Sequence, residues 1–391
     1  MLLEGLHIPL TTPFHLDGRL NLHKLASNIA RYSKTPAAGL ILLAPSAEPT
    51  LLSDDETRDL LRTAAQSAAA EKVLIATLTR DSTHSILALA TYAATLHYDA
   101  LLIPPPSIPT TPLELLTHFQ IIADRSPLPI ILLTTPTHPI PFDAIATLAT
   151  HPNILGLLTT EPTEPTNKPS PEKSCHPERS AAQSQGKPPL EKTCHPERSA
   201  AESKDLRFPC PSPNLNLPDL LARTAHIRRE VTVTPTFLPV THRMQQAAAA
   251  QPSNLISPTT LISPTAAPPA PPRILRTRTK TVSFQIIAAH TPTLLASLNA
   301  GATAIAPAFA ACAPQATYEV FAAWKDADQP LAAEKQLRLL EPAHLAEASP
   351  AALKHACDLN GYFGGPPRLP HLPLTAPQRT TLEQSMHPIR N

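Results

Sequence analysis

The chain reads as an α/β protein, a (β/α)8 TIM barrel with a C-terminal helical extension and a long disordered insertion between strands six and seven. Three observations carry that reading. Short apolar runs alternate six times with amphipathic helical patterns between residues 6 and 158, a polar and proline-laden tract breaks the rhythm from residue 161, and two more strand-then-helix units follow from residue 282. Six units and two make eight, and consecutive β-then-α units imply a parallel sheet with right-handed crossovers.

Leu6 to Leu10 is the first strand, and Leu22, Leu25, Ala26 and Ile29 fall on one face of the helix after it. Gly39 to Leu43 is the second strand. Ser53-Asp-Asp-Glu56 is a capping box that opens a helix burying Leu60, Leu61 and Ala64. Val73 to Thr77 is strand three, with a helix through Ile86, Leu89 and Ala93; Ala100 to Ile103 is strand four, with a helix marked by Leu115, Phe119 and Ile122. Leu128 to Leu133 is strand five, and a helix covers Phe142 to Leu148. Ile154 to Leu158, led in by Pro152-Asn153, reads as a sixth, fully buried strand. These units place the first part of the barrel at residues 1–160.

Residues 161–281 read as a low-complexity insertion with one or two helices. Its first portion is too polar to order itself by burial. It contains Glu172-Lys-Ser-Cys-His-Pro-Glu-Arg-Ser-Ala-Ala182 repeated as Glu191-Lys-Thr-Cys-His-Pro-Glu-Arg-Ser-Ala-Ala201. Leu217 to Arg229 and Arg243 to Ala250 are the helical candidates, residues 231–250 being otherwise ambiguous. A second repeat, Leu255-Ile-Ser-Pro-Thr259 and Leu261-Ile-Ser-Pro-Thr265, closes the tract. Order resumes with strand seven at Val282 to Ala288, a helix through Leu294, Leu295 and Leu298, and strand eight at Ala302 to Ala306; residues 282–314 are the barrel's last part. Residues 315–391 read as helices over Val320 to Trp324, Leu331 to Leu345, Pro350 to Leu359 and Gln378 to Gln384. Long insertions add little to the entropy of loop closure, so the barrel is expected to close around this one.

Composition narrows the function. A net charge of +1 and 4% aromatic content give neither a field nor a stacking surface for nucleic acid. With 49 Pro and only 9 Gly there is little of the loop chemistry that positive-φ glycines supply. No apolar run reaches the length of a membrane span, no signal peptide is evident, and five cysteines lack secreted-type spacing. The expected location is cytoplasmic. The residues contain no P-loop, dinucleotide fingerprint, zincin motif or nucleophile elbow.

Several short motifs recur in one order: Thr11-Thr-Pro-Phe14 with Asp17-Gly18, Ala44-Pro-Ser-Ala-Glu48 with Leu52-Ser53 and Glu56, His118-Phe119, Pro129 to Pro136, and His151-Pro-Asn-Ile-Leu-Gly156. Gly301-Ala302, Asn360-Gly361, Arg368-Leu-Pro370 and Pro373-Leu-Thr375 complete the series. In these the chain resembles the dihydrodipicolinate synthase / N-acetylneuraminate lyase family, class I aldolases and lyases acting on pyruvate. The resemblance implies a cofactor-free lyase, a homotetramer, and a small 2-oxo acid such as pyruvate as partner. It also implies a Schiff-base lysine ending strand six, a tyrosine closing strand five, a Gly-Thr-Thr-Gly-Glu loop after strand two, and an arginine past strand five.

Carried over by position, the lysine is Leu158 and the tyrosine is Leu133. The loop reads Ala44-Pro-Ser-Ala-Glu48, with Pro45 and Ser46 at the threonine positions, and the arginine position is His138. Pro105 and Pro106 stand where the family often has a tyrosine pair. No catalytic residue of the family is intact. Ser46 and His138 remain as substrate-binding candidates, each against the plainer reading of a solvated loop residue, and Glu48 keeps its position as a structural support. A Schiff-base lysine must be partly desolvated. Lys72 and Lys280 precede strands at the wrong face of the barrel, Lys24, Lys34, Lys325, Lys335 and Lys354 lie on helices or their ends, and the others lie in the insertion. Cys175-His176 with Cys194-His195 has zinc-ligand residues, but a copied segment copies both together, so no metal is expected. Cys312 and Cys357 read as buried small hydrophobes. Three readings stay open: a lyase using an unrecognised nucleophile, a non-catalytic barrel that binds a ligand or assembles with an active paralogue, and a decaying gene product.

Overall fold

The computed structural model describes residues 1–160, 216–234, 239–249 and 277–389. Both sequence repeats, and with the first its Cys175-His176 and Cys194-His195 pairs, lie outside the described residues. Among the described residues there are ten strands: β1 (Gly5–Pro9), β2 (Gly39–Leu42), β3 (Val73–Thr77), β4 (Ala100–Ile103), β5 (Ile130–Thr134), β6 (Ile154–Thr159), β7 (Arg229–Val233), β8 (Arg278–Val282), β9 (Gln285–Ala288) and β10 (Ala304–Ile305). Eight of them close a parallel barrel in the order β1-β10-β9-β6-β5-β4-β3-β2, and β7 pairs antiparallel with β8 outside it.

Alternation along each strand separates two apolar layers, because successive side chains point to opposite faces. Leu40, Leu42, Leu74, Ala76, Leu101, Ile103, Ile130 and Leu132 face the surrounding helices. Ile41, Val73, Ile75, Ala100, Leu102, Ile131, Leu133, Leu158, Ile287 and Ala304 form a separate cluster that fills the lumen. Leu3 plugs the lumen's N-terminal end, where its N–H donates to Gln285 Oε1 at 2.7 Å.

The helices α1 (Leu22–Tyr32), α2 (Asp54–Ser67), α3 (Thr83–Thr95), α4 (Pro112–Arg125) and α5 (Phe142–Ala149) follow the first five strands. The Ser53–Glu56 capping box is present on α2, and a second, Thr111–Glu114, opens α4. After β6 comes α6 (Leu217–Thr224), started by Asn216, whose side chain accepts the Asp219 N–H. Leu217 and Leu220 of α6 enter the same core as α5, and Arg223 pairs with Asp143 at 2.9 Å, so α6 takes the sixth place in the ring of helices.

The helix expected over Leu217 to Arg229 stops at Thr224. Arg229 instead begins β7, where its guanidinium donates to the carbonyls of Ala149 and His151. Val231 and Val233 turn inward against Leu2 while Glu230 and Thr232 face solvent. The expected seventh strand, Val282 to Ala288, is two elements: Val282 ends β8 in register with Arg229, and the barrel strand β9 starts at Gln285. A short helix, α7 (His242–Ala249), docks beneath β3 and β4. The His242 N–H donates to Asp99 at 2.8 Å, and Arg243 donates to the Ala68 carbonyl at 2.9 Å.

The barrel ends with α8 (Leu294–Asn299) and α9 (Pro314–Lys325), and α10 (Gln329–Ala346), α11 (Pro350–Leu359) and α12 (Ala376–Met386) form the C-terminal extension. No helix of the described residues is long and apolar enough to cross a membrane.

Candidate active site at the C-terminal mouth of the barrel

In a (β/α)8 barrel the loops after the strands build the site, so the C-terminal mouth is the place for a binding or catalytic site. The side chains that look into it from β5 and β6 are Leu133 and Leu158. They are register partners on adjacent strands and 1% and 5% exposed. Leu158 is in register on its other side with Ile287 of β9. The upper lumen at these positions therefore offers hydrocarbon.

The polar groups nearby are hydroxyls. Thr77 ends β3 with its side chain on the lumen face, 1% exposed, and its Oγ1 is buried without a hydrogen-bond partner among the described residues. Ser46 lies on the loop after β2, and its Oγ is likewise buried and unpartnered. That loop is held in an unusual shape. Leu43 and Glu48 both adopt left-handed backbone conformations, φ +60° and +57°, which cost a non-glycine residue free energy and persist only when the surroundings impose them.

The surroundings here are identifiable. Thr12 Oγ1 donates to the Ala47 carbonyl at 2.8 Å. Glu48 forms an ion pair with Lys354 of α11, both side chains wholly buried, and its other oxygen accepts the Arg368 N–H at 2.9 Å. Lys354 and Arg368 lie on the Phe14 ring, 4.3 and 4.7 Å from its centroid, and Arg368 also donates to Glu56 at 2.8 Å. Burial lowers the Lys354 amine from its usual range, while Glu48 acts in the opposite sense. Lys354 was visible in the sequence only as a helix lysine; its burial depends on a partner 306 residues away.

The other described lysines are placed outside the lumen. Lys72 is buried at the N-terminal face and donates to the Thr35 and Ala37 carbonyls at 2.7 and 2.8 Å; Lys280, at the same face, pairs with Glu4 at 3.3 Å. Lys24, Lys34 and Lys325 are exposed, and Lys335 pairs with Glu319. His138 does not meet Ser46 in one pocket. It lines a separate cleft of 260 Å³ walled by Pro105, Pro106, Pro109, Pro112, Pro139 and Pro141, and its Nδ1 sits 3.1 Å from Thr137 Oγ1.

Among the described residues no group of three or more His, Cys, Asp or Glu side chains could hold a metal ion. Cys312 and Cys357 are buried free thiols, and burial pushes Cys357 up to about 12.

Comparison with known proteins agrees with the motif series. Residues 2–167 match the model of the Dihydrodipicolinate synthetase family. A 4-hydroxy-tetrahydrodipicolinate synthase from Xanthomonas campestris is 33% identical over 162 residues, covering 40% of this chain and 53% of the relative. An N-acetylneuraminate lyase from Rhizobium meliloti is 31% identical over 163 residues, covering 41% and 54%. The chain thus spans about half the length of the curated relatives it matches. Among solved structures, a dihydrodipicolinate synthase from Bacillus anthracis superposes with a TM-score of 0.69 at 16% identity, covering 100% of both chains. A prophage protein of the dihydrodipicolinic acid synthase family from E. coli, solved in complex with pyruvate, gives a TM-score of 0.65 at 17% identity, covering 100% of this chain and 99% of that one. At these identities the structural likeness establishes the barrel alone.

Proposed function

On the premise that this chain carries a dihydrodipicolinate synthase-family barrel, we propose that it binds a small 2-oxo acid without forming an imine, as a non-catalytic member of a lyase family. The observation that carries the reading is the Leu133–Leu158 pair, which fills the lumen where imine chemistry needs an amine and a proton relay. The unpartnered hydroxyls of Ser46 and Thr77 supply donors for a carbonyl or carboxylate oxygen, since a buried hydroxyl without a partner gains by finding one. Pyruvate is the probe of choice because it is bound in the structure of the E. coli relative.

A second reading, a lyase using another nucleophile, would have to recruit Lys354, the described lysine that is wholly buried with a lowered amine. Against it, that amine is held by Glu48, the Pro366 carbonyl and the Phe14 face.

Borohydride reduction with pyruvate, read by intact mass and peptide mapping, separates the two. Thermal stabilisation by pyruvate with no mass increment is the expected result. A stoichiometric adduct on Lys354 would establish the second reading, and the absence of both stabilisation and adduct would remove pyruvate as a ligand.

A further inference from the structure

At the opposite end of the barrel, a cleft of 380 Å³ lies between β8, Arg228 just before β7, and the β10 side of the barrel floor. We propose that this cavity is a binding site for a planar organic anion, its ring against Trp324 and its carboxylate or phosphate against Arg228. The volume falls in the range of small-molecule pockets.

The charge arrangement favours an anion. Arg228 and Lys280 line the cavity, and the one acid in its wall is Glu4. Glu4 is already engaged twice, with Lys280 at 3.3 Å and Lys325 at 2.7 Å, so three cations stand against one carboxylate. Glu230, the acid carried by β7, is exposed and does not line the cavity. Arg228 has no hydrogen bond or ion pair among the described residues, and its planar fork suits a carboxylate or phosphate.

The remaining wall suits a flat ring. Trp324 is held in place by its Nε1–H, which donates to Asn299 Oδ1 at 3.0 Å, and by Phe321 with ring centroids 5.7 Å apart. Leu2, Val282 and Ala302 complete an apolar floor, beside which Gly301, at φ +108°, packs closely under the Leu221 side chain. Ser283 and Thr281 add hydroxyls at the rim. Aromatic stacking and a fixed cation together recognise a ring that bears a negative group.

Trp324 is the chain's single tryptophan, so its emission reports on this cavity alone. The test is a fluorescence titration of the full chain with adenosine monophosphate, benzoate, adenosine and inorganic phosphate. Saturable quenching is expected with adenosine monophosphate, benzoate or both, and which of the two binds decides between phosphate and carboxylate. Arg228→Glu, an exposed change, is expected to raise the midpoint about tenfold or more with unchanged circular dichroism. Absence of saturation with either ring-bearing anion overturns the proposal. So does an unchanged midpoint in Arg228→Glu, or a midpoint for adenosine or phosphate equal to that of the ring-bearing anion.

Discussion

Leu133 and Leu158 stand side by side in the barrel, register partners on β5 and β6 whose side chains close the upper lumen with hydrocarbon. The register partners of Leu158, Leu133 and Ile287, offer an ammonium placed there no counter-charge, and burying an unpaired charge is costly. Leu158→Lys should therefore destabilise the protein by on the order of 3 kcal/mol or more, while Leu158→Met, which conserves volume, should cost less than about 1.5 kcal/mol. Denaturant unfolding of both variants checks this, and equal midpoints would show that the lumen is wetter than its lining implies.

The Glu48–Lys354 pair couples the loop after β2 to α11. Removing one partner leaves a buried charge uncompensated. Lys354→Met and Glu48→Gln should each cost roughly 3–5 kcal/mol, and the double variant should lose clearly less than the sum. Strict additivity in the double-mutant cycle would mean that the two residues do not depend on each other.

His7 gives the fold a dependence on pH. It is fully buried on β1, its Nε2 bonded to the Leu3 carbonyl, and burial lowers it from 6.5 to about 4. The unfolded chain takes up this proton first as pH falls, so the His7 contribution is complete above pH 6.5 and is lost between 6.5 and about 4. At about 1.4 kcal/mol per unit, the loss is roughly 3 kcal/mol. Asp99 and Glu347, both raised by burial, act in the opposite direction, since the folded state holds their protons more tightly. The comparison is therefore between the native chain and His7→Gln. The variant should lose less stability between pH 7 and 4.5, and parallel pH profiles would refute the assignment.

Gly156 sits where β6 meets β9 across the seam left by the long connection. A Cβ there would lie 2.1 Å from the Gln285 carbonyl oxygen, which is backbone and cannot move aside. Gly156→Ala should cost at least about 3 kcal/mol or prevent folding. Gly18→Ala, at φ +83° with nothing within 4 Å, should cost only about 1 kcal/mol. Unfolding midpoints of the two variants give the comparison.

The barrel was legible because its strands are local: seven of its eight are runs of four to six buried residues, β10 being a pair, and helices such as α2 and α6 carry their own caps. The places of Leu133 and Leu158 at the ends of β5 and β6 were legible for the same reason, since both residues close those runs. The hairpin was not. Val231-Thr-Val233 alternates for three residues only, and its partner strand lies 45 residues further on, beyond a low-complexity tract. The apolar run starts strand seven at Val282, three residues ahead of β9, because Val282 is apolar in either setting; its use by β8 depends on Arg229, whose guanidinium anchors the hairpin to Ala149 and His151. Lys354 and the unpartnered Ser46 hydroxyl are defined by three-dimensional neighbours, and no periodicity announces those.

Only Ser283 and Phe284 separate the end of β8 from the start of β9, and Phe284 is fully buried. The hairpin therefore has no swivel. It is tied through two residues to the barrel strand that sets Ile287 beside Leu158, which joins whatever the floor binds to the wall of the mouth by one short run of backbone.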